Sequence, residues 1–216
     1  MVSVVLEKQQ VSINNIYCIG RNYVDHIAEL KNETPTEPVV FMKPNNSVLN
    51  AGGIIRLPEY SSSVHYECEL VLLVGRDEDG NNEADIMGCV AGYAVGLDLT
   101  ARDVQGCLKE KGLPWTKAKG FRNSACVSDF IAAQRLSEPQ NCSFSLHVNG
   151  VQKQHGQTSH MIYSLPQILA DLAKTYGLKQ GDVVYTGTPA GVGQLNTGDK
   201  LHLALEDLVN AEFIVG

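Results

Sequence analysis

The chain of 216 residues is long enough for one sizeable core, and no linker, charge run or internal repeat divides it, so a single domain over 1–216 is expected. Its formal charge of −7, without a Lys/Arg cluster, argues against a nucleic-acid or anionic-membrane surface and leaves any anionic ligand dependent on local cations. The opening MVSVVLEKQQVSI is too polar for a signal peptide and no apolar run reaches the ~18 residues of a membrane span, so a soluble, cytoplasmic protein is expected.

In chain order, a short strand and the run IYCIG lead to Gly20, after which Asn22 can cap a helix over Tyr23 to Lys31, with Tyr23, Ile27 and Leu30 as its apolar stripe. His26 and Glu29, three apart, share another face of that helix. PVVFMKP reads as a strand ending on Lys43, and GGIIRLP as the next. In HYECELVLLVG, alternation sets His65, Glu67 and Glu69 on one side and Tyr66, Cys68 and Leu70 on the other, while VLLVG has no polar face and predicts burial on both. Asp98 interrupts the equally apolar AGYAVGLDLTARD. Thr100 and Asp103 have the spacing of a capping box for a helix to about Lys111, which would project Arg102 and Gln105 beside Asp98. Further on, FSLHVNGVQK predicts a hairpin at Asn149-Gly150, and Ser164 to Tyr176 a helix closed by Gly177. GDVVYTGTPAGVG and the segments after it alternate turns and strands. Strands outnumber helices without βαβ alternation, so the predicted class is α+β, mainly β and largely antiparallel.

Two carboxylates aimed into one place repel unless a cation lies between them or one takes a proton. Glu67, Glu69 and Asp98 together offer three hard oxygen donors, which suit Mg²⁺ or Mn²⁺ better than Zn²⁺. His26 beside Glu29 can act as an oriented base that draws a proton from water. Lys43 and Lys119 are candidate cations for an anionic substrate, whereas Lys117, read as one strand step from Lys119, is a surface lysine. TGTPAGVG lacks the ending of a nucleotide-binding loop but can offer backbone N–H groups and the Thr188 hydroxyl to a carboxylate. The six cysteines contain no C-x-x-C and are expected as reduced, mostly buried thiols.

Taken together and in this order, GRNYVDHIAEL, EPVVFMKP, HYECEL, LDLTARDVQ, KGLPWTKAKGF and GDVVYTGTPAGVG resemble the fumarylacetoacetate hydrolase superfamily, most closely its small single-domain members. The resemblance implies a mixed β-roll with a few short helices, usually dimeric, and hence a homodimer. It implies Mg²⁺ or Mn²⁺ on Glu67, Glu69 and Asp98, a catalytic His26/Glu29 dyad with Lys119, and substrate-positioning Arg21, Arg102, Gln105 and Thr188. The implied substrate is a small 2-oxo acid. Hydrolysis of a carbon–carbon bond in an acylpyruvate-type 2,4-dioxo acid ranks first, by enolate stabilisation at the metal and water activated by His26. Tautomerisation or decarboxylation of oxaloacetate by the same metal site is the alternative, and a non-catalytic dicarboxylate-binding module ranks last. Two departures from the family pattern are Tyr66, where many relatives have histidine, and Gly120, where close relatives often have serine.

Overall fold

The computed structural model describes residues 2–29, 35–80 and 83–216. Its main sheet has the strand order Val39–Lys43, Ile16–Gly20, Val183–Tyr185, Cys68–Val74, Val90–Asp98, Ala125–Val127, Val48–Asn50, with Ile131–Ala132 also pairing on Val90–Asp98. Two pairings are parallel, Val183–Tyr185 on Ile16–Gly20 and Ala125–Val127 on Val48–Asn50, and the others are antiparallel. The central strand Cys68–Val74 is buried throughout because both faces are covered. Cys68, Leu70, Leu72 and Val74 enter one apolar cluster, Val71 and Leu73 another, as its unbroken apolar run predicts.

The second sheet runs Val151–Gln157, Ser143–Val148, Lys200–Leu205, Val209–Val215, Ile54–Ile55. Here burial alternates, so Phe144, Leu146, Leu201, Leu203, Ala211 and Phe213 face inward and share the cluster of Cys68 and Leu70. The two sheets therefore enclose one core, and the strand-rich chain curls as a half-barrel with few helices, the mainly β architecture expected. The predicted hairpin forms, with Asn149 and Gly150 both in the left-handed region that the tight turn requires. The helix Leu165–Tyr176 also forms as predicted, with Ser164 and Gln167 completing a capping box and Leu165, Ile168, Leu169 and Leu172 buried. No helix among the described residues is long and apolar enough to cross a membrane.

A small third sheet, Thr100–Ala101, Val64–Tyr66, Gly193–Gln194, positions the site. The chain passes from it into the main sheet at Glu67, whose carbonyl accepts from the Asp98 N–H at 2.8 Å. Both acids thus stand where strands change sheets. His65 lies before that change and does not line the acids' cleft, although its ring feels the charges of Arg102 and Glu67; its Nε2 is 3.1 Å from the Ser63 hydroxyl.

Two predicted caps give way to tertiary contacts. Thr100 lies in a strand and donates to the Asp98 carbonyl, and the helix begins at Arg102, without a side-chain cap. Asp103 instead accepts from Ser61 Oγ at 2.6 Å and Ser62 N at 2.9 Å, anchoring the loop before His65. Asn22 likewise does not cap the helix Val24–Glu29 but bonds Thr186 and Tyr163. Tyr23 and Ile27 of the expected stripe are buried, while Leu30 and Lys31 lie outside the described residues. Lys117 and Lys119 belong to a short helix, Thr116–Lys119, not a strand; Lys117 sits outside over the Tyr60 ring and Lys119 is buried.

Candidate active site

Glu67, Glu69 and Asp98 are all buried, and one carboxylate oxygen from each lies within 4.8 Å of the others. Alternation survives the change of sheet, so Glu67 and Glu69 reach one cleft while Tyr66 and Cys68 enter the core behind them. Tyr66 is therefore a core residue.

Three buried or half-buried cations hold this cluster. Lys119 Nζ donates to Glu67 Oε2 at 2.7 Å and to Asp98 Oδ2 at 2.5 Å, and Arg102 donates to Glu67 Oε1. Lys43 Nζ lies 2.7 Å from Asp98 Oδ1 and donates to the carbonyls of Leu99, at 3.1 Å, and Lys119. Burial disfavours the charge on Glu67, but Lys119, Arg102 and His26 outweigh it and hold its carboxyl well below the usual carboxylate range. Glu69 is the exception. It receives one hydrogen bond, from Gly187 N at 2.8 Å, and burial, Asp98 and Glu67 together push its carboxyl well above the usual range. Burial opposes the charge on Lys119 as well, yet Asp98 and Glu67 more than compensate and keep it an ammonium.

These contacts revise two sequence expectations. Lys43 is not a substrate cation: it is buried, does not line the cleft and acts from beneath Asp98. Arg102 and Gln105 do share a helix face, with NH1 donating to Oε1 at 2.8 Å, but Arg102 grips Glu67 and not Asp98.

The dyad stands at the same cleft. His26 is buried with Nδ1 3.2 Å from Glu29 Oε2, and Glu29 Oε1 accepts from Gly191 N at 3.1 Å. The glycine-rich turn thus serves both halves of the site, through Gly187 on Glu69 and Gly191 on Glu29. Gly187 has φ +103, and a Cβ there would lie 2.6 Å from Asn22 Cβ, so only glycine brings this N–H so close. Thr188 lines the cleft, but its hydroxyl is engaged inward, donating to Cys68 O and accepting from Gln154 Nε2, both at 2.8 Å.

The cleft is narrow, with a cavity volume of about 40 Å³. Phe41 and Trp115, with ring centroids 5.9 Å apart, give it an apolar wall. Arg21, placed by a left-handed backbone at φ 58, and Lys109 add positive charge. Lys109 is the charged lining residue that sequence reading missed, although it continues the helical spacing of Arg102 and Gln105. Gly120, beside Lys119, is closely packed: a Cβ would lie 2.7 Å from Pro44 Cδ and 2.9 Å from Thr116 O.

The signature of the fumarylacetoacetate (FAA) hydrolase C-terminal family matches residues 15–215, and so takes in all these elements. The chain belongs to the fumarylacetoacetate hydrolase family. Within the fumarylacetoacetate hydrolase family it is 42% identical over 201 residues to the mitochondrial oxaloacetate tautomerase FAHD1 of Bos taurus, covering 93% of this chain and 91% of that one. Identity to oxaloacetate tautomerase YcgM of Escherichia coli K12 is 44% over 195 residues, covering 90% and 89%. The crystal structure of fumarylpyruvate hydrolase from Pseudomonas aeruginosa in complex with Mn²⁺ and pyruvate matches with a TM-score of 0.94 at 32% identity, covering 99% of this chain and 95% of that one.

The acid cluster of this fumarylacetoacetate hydrolase family member fits a divalent ion on two observations. Asp98 Oδ1 is buried and receives no hydrogen bond, its contact with Lys43 being electrostatic only. Glu69 is the carboxylate that none of the three cations touches. A cation there would offset the repulsion that now favours a proton.

Proposed function

We propose that the protein is a divalent-metal-dependent enzyme acting on small 2-oxo acids, and that its reaction is the interconversion of the enol and keto forms of oxaloacetate. The observation that carries this reading is a buried acid triad, two of whose members, Glu67 and Glu69, line one cleft with an oriented imidazole, in a chain 42% and 44% identical to two oxaloacetate tautomerases. Those relatives support the alternative that the sequence placed second, after carbon–carbon hydrolysis.

Glu67, Glu69 and Asp98 would hold Mg²⁺ or Mn²⁺, both of which favour carboxylate oxygens. When bound, such an ion supplies Lewis-acid stabilisation of charge developing on the 2-oxo oxygen. Glu29 accepts from His26 Nδ1–H and so leaves Nε2 as the base. His26 takes a proton from C3 of the keto acid, leaving negative charge on the C2 oxygen. Lys119, kept protonated by its acid partners, donates toward that charge. Return of the proton to oxygen completes the enol, and the reverse sequence forms the ketone. Arg102, Gln105 and Thr188 shape the wall against which the substrate is oriented.

Hydrolysis of acylpyruvates is the second reading, favoured by the Phe41/Trp115 wall and by the resemblance to fumarylpyruvate hydrolase. His26 would then remove a proton from water. To separate the readings, the metal-loaded protein is mixed with the enol of oxaloacetate, with acetylpyruvate, and with keto oxaloacetate while CO₂ is followed. Enol loss faster than with metal alone, and faster than the other two reactions, is expected. Cleavage of acetylpyruvate without accelerated enol loss would transfer the assignment to a hydrolase, CO₂ release alone to a decarboxylase, and no turnover to a binding module.

A further inference from the structure

Gln154 is a buried polar side chain in the strand Val151–Gln157, on a face where its cross-strand partner Leu146 and the nearby Phe144 enter the core. A register shift puts it there: Leu146 stands opposite Gln154 and His147 opposite Gln152, so Lys153 is an extra residue that bends the strand. A buried amide is costly unless its oxygen and both its N–H groups find partners. All of them do. Oε1 accepts from Cys68 N at 2.9 Å, and Nε2 donates to Thr188 Oγ1 at 2.8 Å and to Pro189 O at 2.9 Å.

Thr188 closes the circuit by donating to Cys68 O at 2.8 Å, so these bonds grip both sides of Cys68, the residue between Glu67 and Glu69. The other end of the circuit is the glycine-rich turn, which places Gly187 N on Glu69 Oε2 and Gly191 N on Glu29 Oε1. That turn also rests on the bent strand, since a Cβ at Gly191 would lie 2.2 Å from Lys153 O. Gln154 does not line the cleft. It nevertheless ties the strand that carries two of the acids to the turn that orients the dyad.

We propose that Gln154 is a positioning residue: by fixing the turn to the backbone at Cys68, it sets where Glu69 and the Glu29-oriented His26 stand relative to one another. The inference deepens the reading of triad and dyad as one reaction site and rests on it. Small displacements matter at such a site, because a misplacement of ~1 Å can cost ~100-fold in rate.

The test is Gln154→Met, which removes all three bonds of the amide. Thr188→Val breaks the same circuit but leaves Cys68 N its acceptor, and serves if the first variant does not fold; Thr188→Ser keeps the hydroxyl as the conservative control. In metal-free protein, amide hydrogen exchange at Gly187 and Gly191 should quicken by ~10-fold or more beyond any change at Leu169, whose helical amide reports overall stability. Thr188→Ser should exchange as the native protein does. Mn²⁺ affinity should fall ~10- to 100-fold, as for groups that hold ligands in place, whereas a protein that is only less stable keeps native affinity in its folded fraction. At saturating Mn²⁺, kcat for enol–keto conversion should fall ~10-fold or more with KM little changed. Equal acceleration at all three amides, native exchange at both glycines, or native Mn²⁺ affinity together with native kcat overturns the proposal. Should the native protein turn over no oxaloacetate while exchange and Mn²⁺ affinity respond as expected, the tautomerase reading fails and the positioning role stands.

Discussion

Replacing His26 with alanine should slow enol–keto conversion of oxaloacetate by roughly 100- to 10,000-fold, the usual contribution of a positioned general base. The size of the effect follows from the geometry: His26 is the imidazole lining the cleft, and Glu29, itself fixed by Gly191 N, orients it. Lys119 cannot substitute as base, because its acid partners hold it protonated. Mn²⁺ affinity should persist, since His26 is not among the grouped ligand atoms. Rates are compared after thermal unfolding has verified an intact fold. An unchanged conversion rate would remove the dyad from the mechanism.

Lys43→Met should destabilise the metal-free protein by about 3–5 kcal/mol, the range for breaking a buried ion pair from one side. The Lys43 side chain is fully buried, and its ammonium faces Asp98 Oδ1 and the carbonyls of Leu99 and Lys119. Methionine keeps most of the volume but leaves three buried acceptors without that cation. At this chain length the loss corresponds to a fall in Tm of roughly 6–20 °C. Saturating Mg²⁺ should recover part of it, because a second cation then compensates Asp98. Calorimetric unfolding with and without Mg²⁺ measures both quantities, and a change under ~1 kcal/mol would show that Lys43 does not hold Asp98.

The acid triad was legible in the sequence because strand alternation is local: Glu67 and Glu69 need only period two, and Asp98 stands out within an apolar run. The His26/Glu29 pair was legible for the same reason at helical spacing. What escaped depends on contacts distant in the chain. Asn22 and Asp103 had good cap positions, but Asn22 is drawn to Thr186 and Tyr163, and Asp103 to Ser61 and Ser62. Propensity for a cap of about 1 kcal/mol yields to several tertiary hydrogen bonds. Lys43 read as a strand-end cation for substrate, because nothing near FMKP shows that the Asp98 side chain lies against it. Lys109 could have been found by extending the Arg102/Gln105 stripe one more turn. The sheet order, with Val183–Tyr185 inserted between Ile16–Gly20 and Cys68–Val74, has no local signal at all.

Whether Glu67, Glu69 and Asp98 together hold one divalent ion is decided by titrating metal-stripped protein with Mn²⁺ and following free ion by electron paramagnetic resonance. Glu69→Gln and Asp98→Asn are titrated alongside; Glu69→Gln should fold, since it removes the acid most disfavoured by its neighbours. One ion per chain is expected in the native protein. Each variant should lose more affinity than the ~10–100-fold typical of substitutions outside the ligand set. Equal Mn²⁺ affinity in all three proteins would contradict it.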